Sequence, residues 1–383
     1  MKISPRSIQK SVLEDLEKKI ILLIGPRQVG KTTFSKNLIT SYDYLNFDSA
    51  KDKLKIVKQQ WDRNKKLVIF DEVHKMRHWK KWIKGVYDTE GLTPNILVTG
   101  SARMDTVRKM GDSLAGRHFT YHLMPLDLKE LNHQNLDIKE TFERLLKLSG
   151  FPEPFFENSR RFHLNWQKSH MDLILRQDLV SYENIRDITS IEILVEMLKE
   201  RVASPLSYSS IANDLQRDTK TIQKWMQYLE NLFVVFKIRP YSKNIARSVL
   251  KEPKYYFFDY TRIENNEGAL IENFVAVSLL KEIYFLNEVL GIDSELFYLK
   301  KKGSKEIDFF IRRKGLSPVM IEVKTSEDDV SSSFKMFESH FESPIRIQLV
   351  KNLDKDYSNS NGIQILNLAK YLTYFDLSKE KTV

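Results

Sequence analysis

Short apolar runs alternate with helix-period segments over the first part of the chain. Three of these runs consist of aliphatic and β-branched residues, at Ile20–Ile24, Leu67–Phe70 and Ile96–Thr99. Each is bounded by turn or polar residues. Strands that alternate with helices predict a parallel sheet in an α/β layer fold. We therefore expect an α/β domain over residues 1–145.

The pattern changes twice further along the chain. Residues 146–250 are mainly helical in period, and two close prolines at 151–156 indicate a connection between elements. Alternation returns over residues 251–383, with a long helix expected from Ala269 to about Glu288. Strands are expected near Glu295–Leu299, Glu306–Ile311 and Val319–Val323. This part of the sequence predicts a separate, mixed α/β domain.

The first apolar strand runs directly into GPRQVGKT at residues 25–32, and a helical segment follows. This is the complete G-x-x-x-x-G-K-[ST] pattern in the strand–loop–helix context that a P-loop requires. The glycines let the backbone fold tightly around phosphates, the lysine reaches the β- and γ-phosphates, and the threonine hydroxyl ligates Mg²⁺. We predict ATP and Mg²⁺ as cofactors, bound by Gly25, Pro26, Arg27, Gln28, Val29, Gly30, Lys31, Thr32 and Thr33.

The second apolar strand ends in two carboxylates, which is the Walker B arrangement. Asp71 is expected to hold the Mg²⁺ shell with Thr32, and Glu72 to orient or activate the attacking water. The third strand ends near Thr99 and Ser101, either of which could contact the γ-phosphate or the water, because ligands bind at the carboxyl ends of such strands.

Two arginines follow the third strand. Arg103 and Arg117 are candidates for stabilising charge during hydrolysis, although a surface ion pair is the alternative for each.

The middle region contains a helix-turn-helix pattern at residues 209–232. Ile222, Trp225, Met226 and Leu229 share one face of its second helix, and a strand-like run follows as a potential wing. If this unit reads DNA, the side chains facing the groove would be Thr219, Lys220, Thr221, Gln223 and Lys224. A helical lid or a packing unit between domains is the alternative.

Two strands of the last region place charged residues at alternating positions. Asp308 lies opposite the core-facing residues of its strand, and Glu322 and Lys324 do the same in the next strand. Two carboxylates can hold Mg²⁺, and a lysine beside them can position or activate water. We predict metal ligands at Asp308 and Glu322, with Lys324 as a catalytic partner. Solvated charges on two ordinary strands are the alternative.

The sequence resembles a family of prokaryotic AAA-type ATPases with a C-terminal domain of restriction-endonuclease-like fold. The resemblance is carried by LIGPRQVGKTT, FDEVHKMRHWKKWIK, VTGSARM and LAGRHFTYHLMPLDLKEL. It implies that Asp71 and Glu72 are the Walker B pair and that Arg117 belongs to the family pattern. A winged-helix middle region is consistent with it. The charged set at Asp308 and Glu322-x-Lys324 looks like a PD-(D/E)xK nuclease site, and Glu272 fits its extra acidic position.

Composition adds limits on chemistry and on partners. The chain has no cysteine, which excludes disulfides, iron–sulfur clusters and thiol nucleophiles. A net charge of +10 permits a DNA partner, but a lysine-rich, solvated surface explains it equally well. The N-terminus has no apolar segment typical of a signal peptide or a membrane span, so we expect a cytoplasmic protein without a membrane partner.

The leading functional hypothesis is an ATPase that acts on DNA, with or without nuclease activity in the C-terminal domain. The alternative is a nucleotide-driven switch whose C-terminal domain only binds a partner. An arginine acting between copies of the chain would require a homo-oligomer.

Overall fold

The computed structural model describes residues 5–101, 114–132, 136–179, 187–242, 251–301, 305–326 and 330–380. By its internal contacts the chain divides into two compact units. The first contains Pro5–Pro125 with Asn231–Phe233, and the second contains Leu126–Glu230 and the residues from Val234 onward. The domain boundaries expected at residues 145 and 250 stay predictions.

The first unit is built on a parallel five-stranded sheet. Its elements in chain order are α1 (Gln9–Leu16), β1 (Ile20–Ile24), α2 (Lys31–Lys36), β2 (Tyr42–Asn46), α3 (Ala50–Val57), β3 (Leu67–Asp71), α4 (Trp79–Glu90), β4 (Asn95–Gly100) and β5 (His118–His122). The strand order is β2-β3-β4-β1-β5, with every neighbouring pair parallel. All residues of β1 and β3 are buried, as expected in a sheet that is covered on both faces. The predicted α/β layer fold is confirmed.

The second unit begins with helices. They are α5 (Leu128–Leu131), α6 (Ile138–Leu148), α7 (Pro152–Glu157), α8 (Arg160–Leu173), α9 (Ile188–Lys199), α10 (Tyr208–Asp214) and α11 (Thr219–Asn231). The prediction of a connection at 151–156 was wrong, because α7 occupies it. Pro152 is the first residue of this helix, where a missing N–H costs no hydrogen bond, and Pro154 lies within the same first turn.

The helix-turn-helix pattern forms α10 and α11. The predicted inner face of α11 is confirmed, since Ile222, Trp225, Met226 and Leu229 are all buried. The strand that follows, β6 (Val235–Pro240), pairs with β7 (Lys254–Phe257) and with β8 (Ser294–Lys300). It is therefore part of the C-terminal sheet.

An eight-stranded mixed sheet forms the rest of the second unit. Its order is β12-β13-β11-β10-β9-β8-β6-β7. The remaining elements are α12 (Glu267–Glu288), β9 (Glu306–Arg313), β10 (Val319–Lys324), α13 (Ser333–Phe337), β11 (Ile345–Val350), β12 (Tyr357–Ser358), β13 (Gln364–Asn367) and α14 (Leu368–Tyr374). The predicted long helix and the three predicted strands are confirmed to within two residues at each end.

The chain passes from the first unit into the second immediately after β5. The amide of Leu123 donates to Ile24 O at 2.8 Å, and the amide of Leu126 donates to Gly150 O at 2.7 Å. Ion pairs then fix α5 to α12. Lys281 Nζ lies 3.0 Å from Asp127 Oδ2 and 2.7 Å from Glu130 Oε2, and Lys129 Nζ lies 2.9 Å from Glu282 Oε2.

Within the described residues, none of the helices combines the length and the apolar character needed to span a bilayer.

Candidate functional site

The loop between β1 and α2 has the backbone geometry of a phosphate-binding loop. Gly25 and Gly30 have φ values of 151° and 99°, which L side chains rarely adopt. A Cβ atom on Gly25 would lie 2.2 Å from Leu123 O, so only glycine fits between this loop and the end of β5. Lys31 is buried, and its Nζ donates to Gly25 O at 2.9 Å and Pro26 O at 2.7 Å. The lysine is thus held inside the loop.

Asp71 lies at the carboxyl end of β3, where three hydroxyl groups donate to its carboxylate. Thr32 Oγ1 donates to Asp71 Oδ2 at 2.9 Å, and Tyr44 OH donates to the same oxygen at 2.6 Å. Thr99 Oγ1 donates to Oδ1. Because β2, β3 and β4 are neighbours, the sheet register itself places Asp71 beside Thr99. The predicted pair of magnesium ligands, Thr32 and Asp71, is therefore in direct contact.

Glu72 follows Asp71 with a left-handed backbone conformation (φ 56°), so the chain turns out of β3 at this residue. Its Oε2 lies 3.5 Å from Ser101 Oγ, 3.5 Å from Lys75 Nζ and 3.6 Å from His74 Nε2. Burial raises the pKa of Glu72, while the positive charges of Lys75 and Lys31 lower it. A carboxylate whose proton affinity is raised and which lies beside the P-loop lysine is suited to accept a proton from water.

The structure brings both polar residues at the end of β4 to this site. Thr99 contacts Asp71, and Ser101 contacts Glu72. Arg117 lies elsewhere, because it precedes β5 and its carbonyl accepts the amide of Ile20 at the opposite edge of the sheet. Its guanidinium pairs with Asp88, with Nε 2.7 Å from Oδ1. Arg117 is thus not placed for catalysis within its own chain. Arg103 lies outside the described residues.

Two residues at this site carried no signal in the sequence. Tyr44 comes from β2, which is not among the predicted strands, and its contact with Asp71 depends on the strand order. Arg6 is buried beside the loop, where NH1 donates to Val29 O at 3.3 Å and NH2 donates to Met124 O. It links the phosphate loop to the residues that follow β5.

The residues of this site fit ATP and Mg²⁺. The backbone of Leu123 packs directly against Gly25, in the space that a Cβ atom would otherwise occupy, so the loop stays compact enough to surround phosphates. The side chains present also match the ligand, since Lys31 can bind phosphates and the Thr32 hydroxyl and the Asp71 carboxylate can bind Mg²⁺.

The C-terminal strands bring the predicted charged residues together. The ladder between β9 and β10 ends with Phe309 paired with Ile321, and Asp308 and Glu322 follow directly at that end of the two strands. Asp308 Oδ2 accepts the amide of Val323 at 2.9 Å. Lys324 Nζ lies 3.2 Å from Glu322 Oε1. The alternation of charged residues along these strands therefore indicated the correct neighbours.

A buried lysine outside the predicted charged set lies among further carboxylates of this site. The side chain of Lys254, from β7, is fully buried. Its Nζ lies 2.5 Å from Glu306 Oε1, 3.2 Å from Glu272 Oε1 and 3.9 Å from Asp308 Oδ1. Burial lowers the pKa of Lys254, but the three carboxylates outweigh it and raise the pKa above the ordinary value. The only sequence signal is a lysine in the otherwise aromatic run KYYFF.

Two of these carboxyl groups bind protons more tightly than usual. Burial and the neighbouring charge of Asp308 raise the pKa of Glu322 to about 7, although Lys324 opposes the shift. The same two causes raise the pKa of Glu272 to about 8, against Lys254 and a hydrogen bond from Tyr256. Such shifts are frequent in catalytic sites and also occur in structural ion-pair networks.

This cluster could hold a magnesium ion with only two protein ligands. Over the part of the chain that the structure describes, no three His, Asp or Glu side chains are grouped to hold a metal ion. Mg²⁺ is commonly held by one or two carboxylates with water completing its shell, and Asp308 and Glu322 meet that requirement.

Three family models match successive parts of the chain. Residues 17–132 match the model of a family described as AAA domain. Residues 139–261 and 267–371 match two domains of unknown function, DUF8612 and DUF4143. The AAA match, the parallel sheet and the loop with its Walker B pair support an AAA-type P-loop ATPase in the first of these regions.

Similar full-length proteins are themselves uncharacterized. The chain is 25% identical over 415 residues to the uncharacterized protein MJ1544 of Methanocaldococcus jannaschii, across 97% of this chain and 87% of that protein. It is 23% identical over 327 residues to the uncharacterized protein Rv2008c of Mycobacterium tuberculosis, across 82% and 73% of the two chains.

Solved structures with a detectable likeness are distant. The RuvB Holliday junction branch migration motor of Thermotoga maritima superimposes with a TM-score of 0.32 at 15% identity, covering 61% of this chain and 89% of that chain. The STAND protein PH0952 of Pyrococcus horikoshii gives a TM-score of 0.22 at 11% identity, covering 76% and 48%. At these TM-scores neither likeness bears on function.

Proposed function

We propose that the protein binds ATP with Mg²⁺ and hydrolyses it at the first unit. The observation that carries this proposal is the contact between Thr32 and Asp71, with Glu72 directly beside them. The loop residues 25–33 would hold the phosphates, with Lys31 on the β- and γ-phosphates. Thr32 and Asp71 would ligate Mg²⁺, which neutralises charge on the phosphates when bound.

Within this proposal Glu72 accepts the proton of the attacking water. Its carboxylate is held by Ser101 and Lys75, so its position is fixed before substrate binds. Its raised pKa brings it closer to the value that a general base needs near neutral pH. Removal of this group alone should leave ATP binding intact.

The test compares ATP affinity and turnover in three variants of the full chain. Lys31→Ala should abolish binding, whereas Glu72→Gln should keep binding and lower turnover by about 10²–10⁴-fold. Glu90→Gln is the matched control, because its carboxylate makes an ion pair with Arg63 at the surface of the same unit. Turnover that survives unchanged in Glu72→Gln would refute the assigned role.

A second candidate function is metal-dependent cleavage of DNA by the second unit. The observation that favours it is the placement of Asp308 and Glu322 at the same end of neighbouring strands, with Asp308 bonded to the Val323 amide and Lys324 paired with Glu322. Together with the mixed sheet, this set supports a PD-(D/E)xK, restriction-endonuclease-like site in which Asp308 and Glu322 hold Mg²⁺. Lys324 would then position or activate water.

DNA contact through a winged-helix-like α10–α11 pair belongs to the same proposal. Thr219, Lys220, Gln223 and Lys224 are exposed on α11, while the Thr221 hydroxyl donates to Asp218 at 2.5 Å. In the proposed complex these four exposed side chains would face a DNA groove or its phosphates. Binding that weakens with salt and with Lys220→Ala and Lys224→Ala would support this surface.

Cleavage is tested on a panel of DNA structures with Mg²⁺ or Mn²⁺, with and without ATP. The wild type should cleave, Lys324→Ala should not, and Lys370→Ala is the control because its side chain is exposed and paired with Asp356. If the wild type hydrolyses ATP but cleaves nothing, the alternative follows, in which ATP drives a switch and the second unit only binds a partner.

A further inference from the structure

The carboxylate cluster of the second unit already contains a cation of its own. Lys254 Nζ is within 4 Å of three carboxylates, and no part of its side chain is exposed. A divalent ion bridging Glu272, Glu306 and Asp308 would have to occupy the position of this ammonium group. The lysine comes from β7, which is paired with β6 along its whole length, so it has little freedom to withdraw.

The formal charge of the cluster leaves room for one divalent cation. Four carboxylates face the ammonium groups of Lys254 and Lys324, and the exposed Lys300 reaches Glu306 at 3.9 Å, so one formal negative charge remains uncompensated. Buried charges are tolerated only when they are paired or coordinated to a metal. One divalent ion is enough to offset this charge, and a second would leave the cluster with a formal charge of about +3.

Two buried polar atoms indicate where that cation lies. Among the described residues, no group meets hydrogen-bond geometry with Glu322 Oε2 or Gln348 Nε2, although the Ser331 side chain is near Glu322, and Glu322 and Gln348 occupy paired positions on β10 and β11. Glu322 is 7% exposed and Gln348 is 0% exposed. The amide orientation of Gln348 is fixed, because its Oε1 accepts the amide of Ser331 at 3.0 Å.

An unpaired acceptor beside an unpaired donor, both buried, calls for a ligand that satisfies both. A hydrated divalent cation does so, since Glu322 Oε2 can ligate the ion and Gln348 Nε2 can donate to an oxygen atom next to it. Both atoms belong to strands on the β10–β11 side of Asp308, whereas Lys254 comes from β7, on the other side of β9 and beyond β8 and β6 in the sheet.

We propose that this site takes a single divalent cation between Asp308 and Glu322, and that Lys254 is the built-in counter-ion of Glu272 and Glu306 in place of a second metal. The inference rests on the second candidate function and specifies its metal content. It assigns Lys254 and Gln348 to the site, neither as a metal ligand.

The number of bound ions can be counted with Mn²⁺ by electron paramagnetic resonance. The full chain is used without nucleotide, and every variant carries Thr32→Ala so that the P-loop does not contribute. The parent should bind one Mn²⁺ per chain, and Lys254→Met should bind two. Lys300→Met is the matched control and should bind one, because Lys300 is exposed and its Nζ is 3.9 Å from Glu306 Oε2.

A second pair of variants avoids the risk that Lys254→Met fails to fold. Glu306→Gln should keep one Mn²⁺ with an affinity within about threefold of the parent's, because Glu306 pairs with Lys254 and does not ligate the metal. Glu322→Gln should lose the ion. Equal losses in Glu306→Gln and Glu322→Gln would overturn the inference, as would two ions in the parent or one ion in folded Lys254→Met.

Failure of the underlying function gives a different result. If neither the parent nor Lys254→Met binds Mn²⁺, the metal-dependent nuclease proposal is refuted and the inference goes with it. Two ions in the parent would refute the inference while leaving the nuclease proposal in place.

Discussion

A methyl group at Gly25 should disable the phosphate-binding loop. In Gly25→Ala the new Cβ would lie 2.2 Å from Leu123 O and 3.1 Å from Leu123 C. Both are backbone atoms, and the Leu123 amide is hydrogen-bonded to Ile24 O, so the neighbour cannot rotate away. The loop or the end of β5 must therefore move by roughly 1 Å to restore an ordinary contact.

Two separate costs add in this variant. A side chain at φ 151° is strained by about 1–3 kcal/mol, and overpacking against a fixed backbone costs a further 1–3 kcal/mol or so. We expect Gly25→Ala to lower the free energy of unfolding of the first unit by about 2–6 kcal/mol. Its ATP affinity should fall with it, because the loop can no longer close around phosphates.

Gly85→Ala is the matched control. Gly85 is exposed in the middle of α4, and a Cβ there would meet nothing within 4 Å. Alanine is the better helix former by about 1 kcal/mol, so this variant should be more stable than the wild type.

Urea unfolding followed by circular dichroism, with and without ATP, measures both variants. The transition that ATP shifts identifies the first unit. The reasoning is refuted if Gly25→Ala unfolds at the wild-type urea concentration, or if both glycine variants change stability in the same direction.

Three further outcomes are expected. Lys281→Met should destabilise the second unit by about 3–5 kcal/mol, because the buried carboxylates of Asp127 and Glu130 lose their ion pairs with this lysine. In the same urea titration the control Lys379→Met, which breaks the exposed pair with Asp376, should cost less than about 1 kcal/mol. Burial raises the pKa of Glu282 in the folded state, so its contribution to stability is present below its unfolded pKa and is lost as pH rises through the folded pKa. The free energy of unfolding, measured from pH 4 to 8, should therefore fall less with rising pH in Glu282→Gln than in the wild type. The exposed control Glu196→Gln should show the same fall as the wild type, and parallel curves for all three proteins would contradict this prediction. Tyr44→Phe removes a donor to a carboxylate and should lower the stability of the nucleotide-free first unit by about 1.5–3 kcal/mol, and wild-type stability would show that the phenol is dispensable.

The parts of the site that lie close together in sequence were predictable. The loop at 25–32 is a contiguous motif whose geometry follows from two glycines and the flanking strand and helix. The nearness of Asp308 and Glu322 was also predictable, because strand alternation fixes the face and a short connection favours neighbouring strands.

The residues that were missed depend on strand order and on long-range packing. Tyr44 reaches Asp71 only because β2 is the neighbour of β3, and Lys254 reaches Asp308 from a strand more than fifty residues earlier. Arg117 shows the opposite case. Its motif suggested catalysis. Because β5 runs parallel to β1, however, the start of β5 lies beside the start of β1, at the opposite end of the strands from the phosphate loop. One-dimensional patterns do not specify which end of a sheet a residue occupies until the register is known.

The segment that follows β5 has a mechanical consequence. Residues on both sides of Pro125 make contacts within their own unit. In the first unit Leu123 packs against Gly25, and Arg6 donates to Met124 O; in the second unit the Leu126 amide donates to Gly150 O, and Asp127 pairs with Lys281. Proline at position 125 removes one further backbone rotation. Few backbone rotations therefore remain unconstrained between residues 123 and 127, so an insertion at this position would break contacts in one unit or in the other.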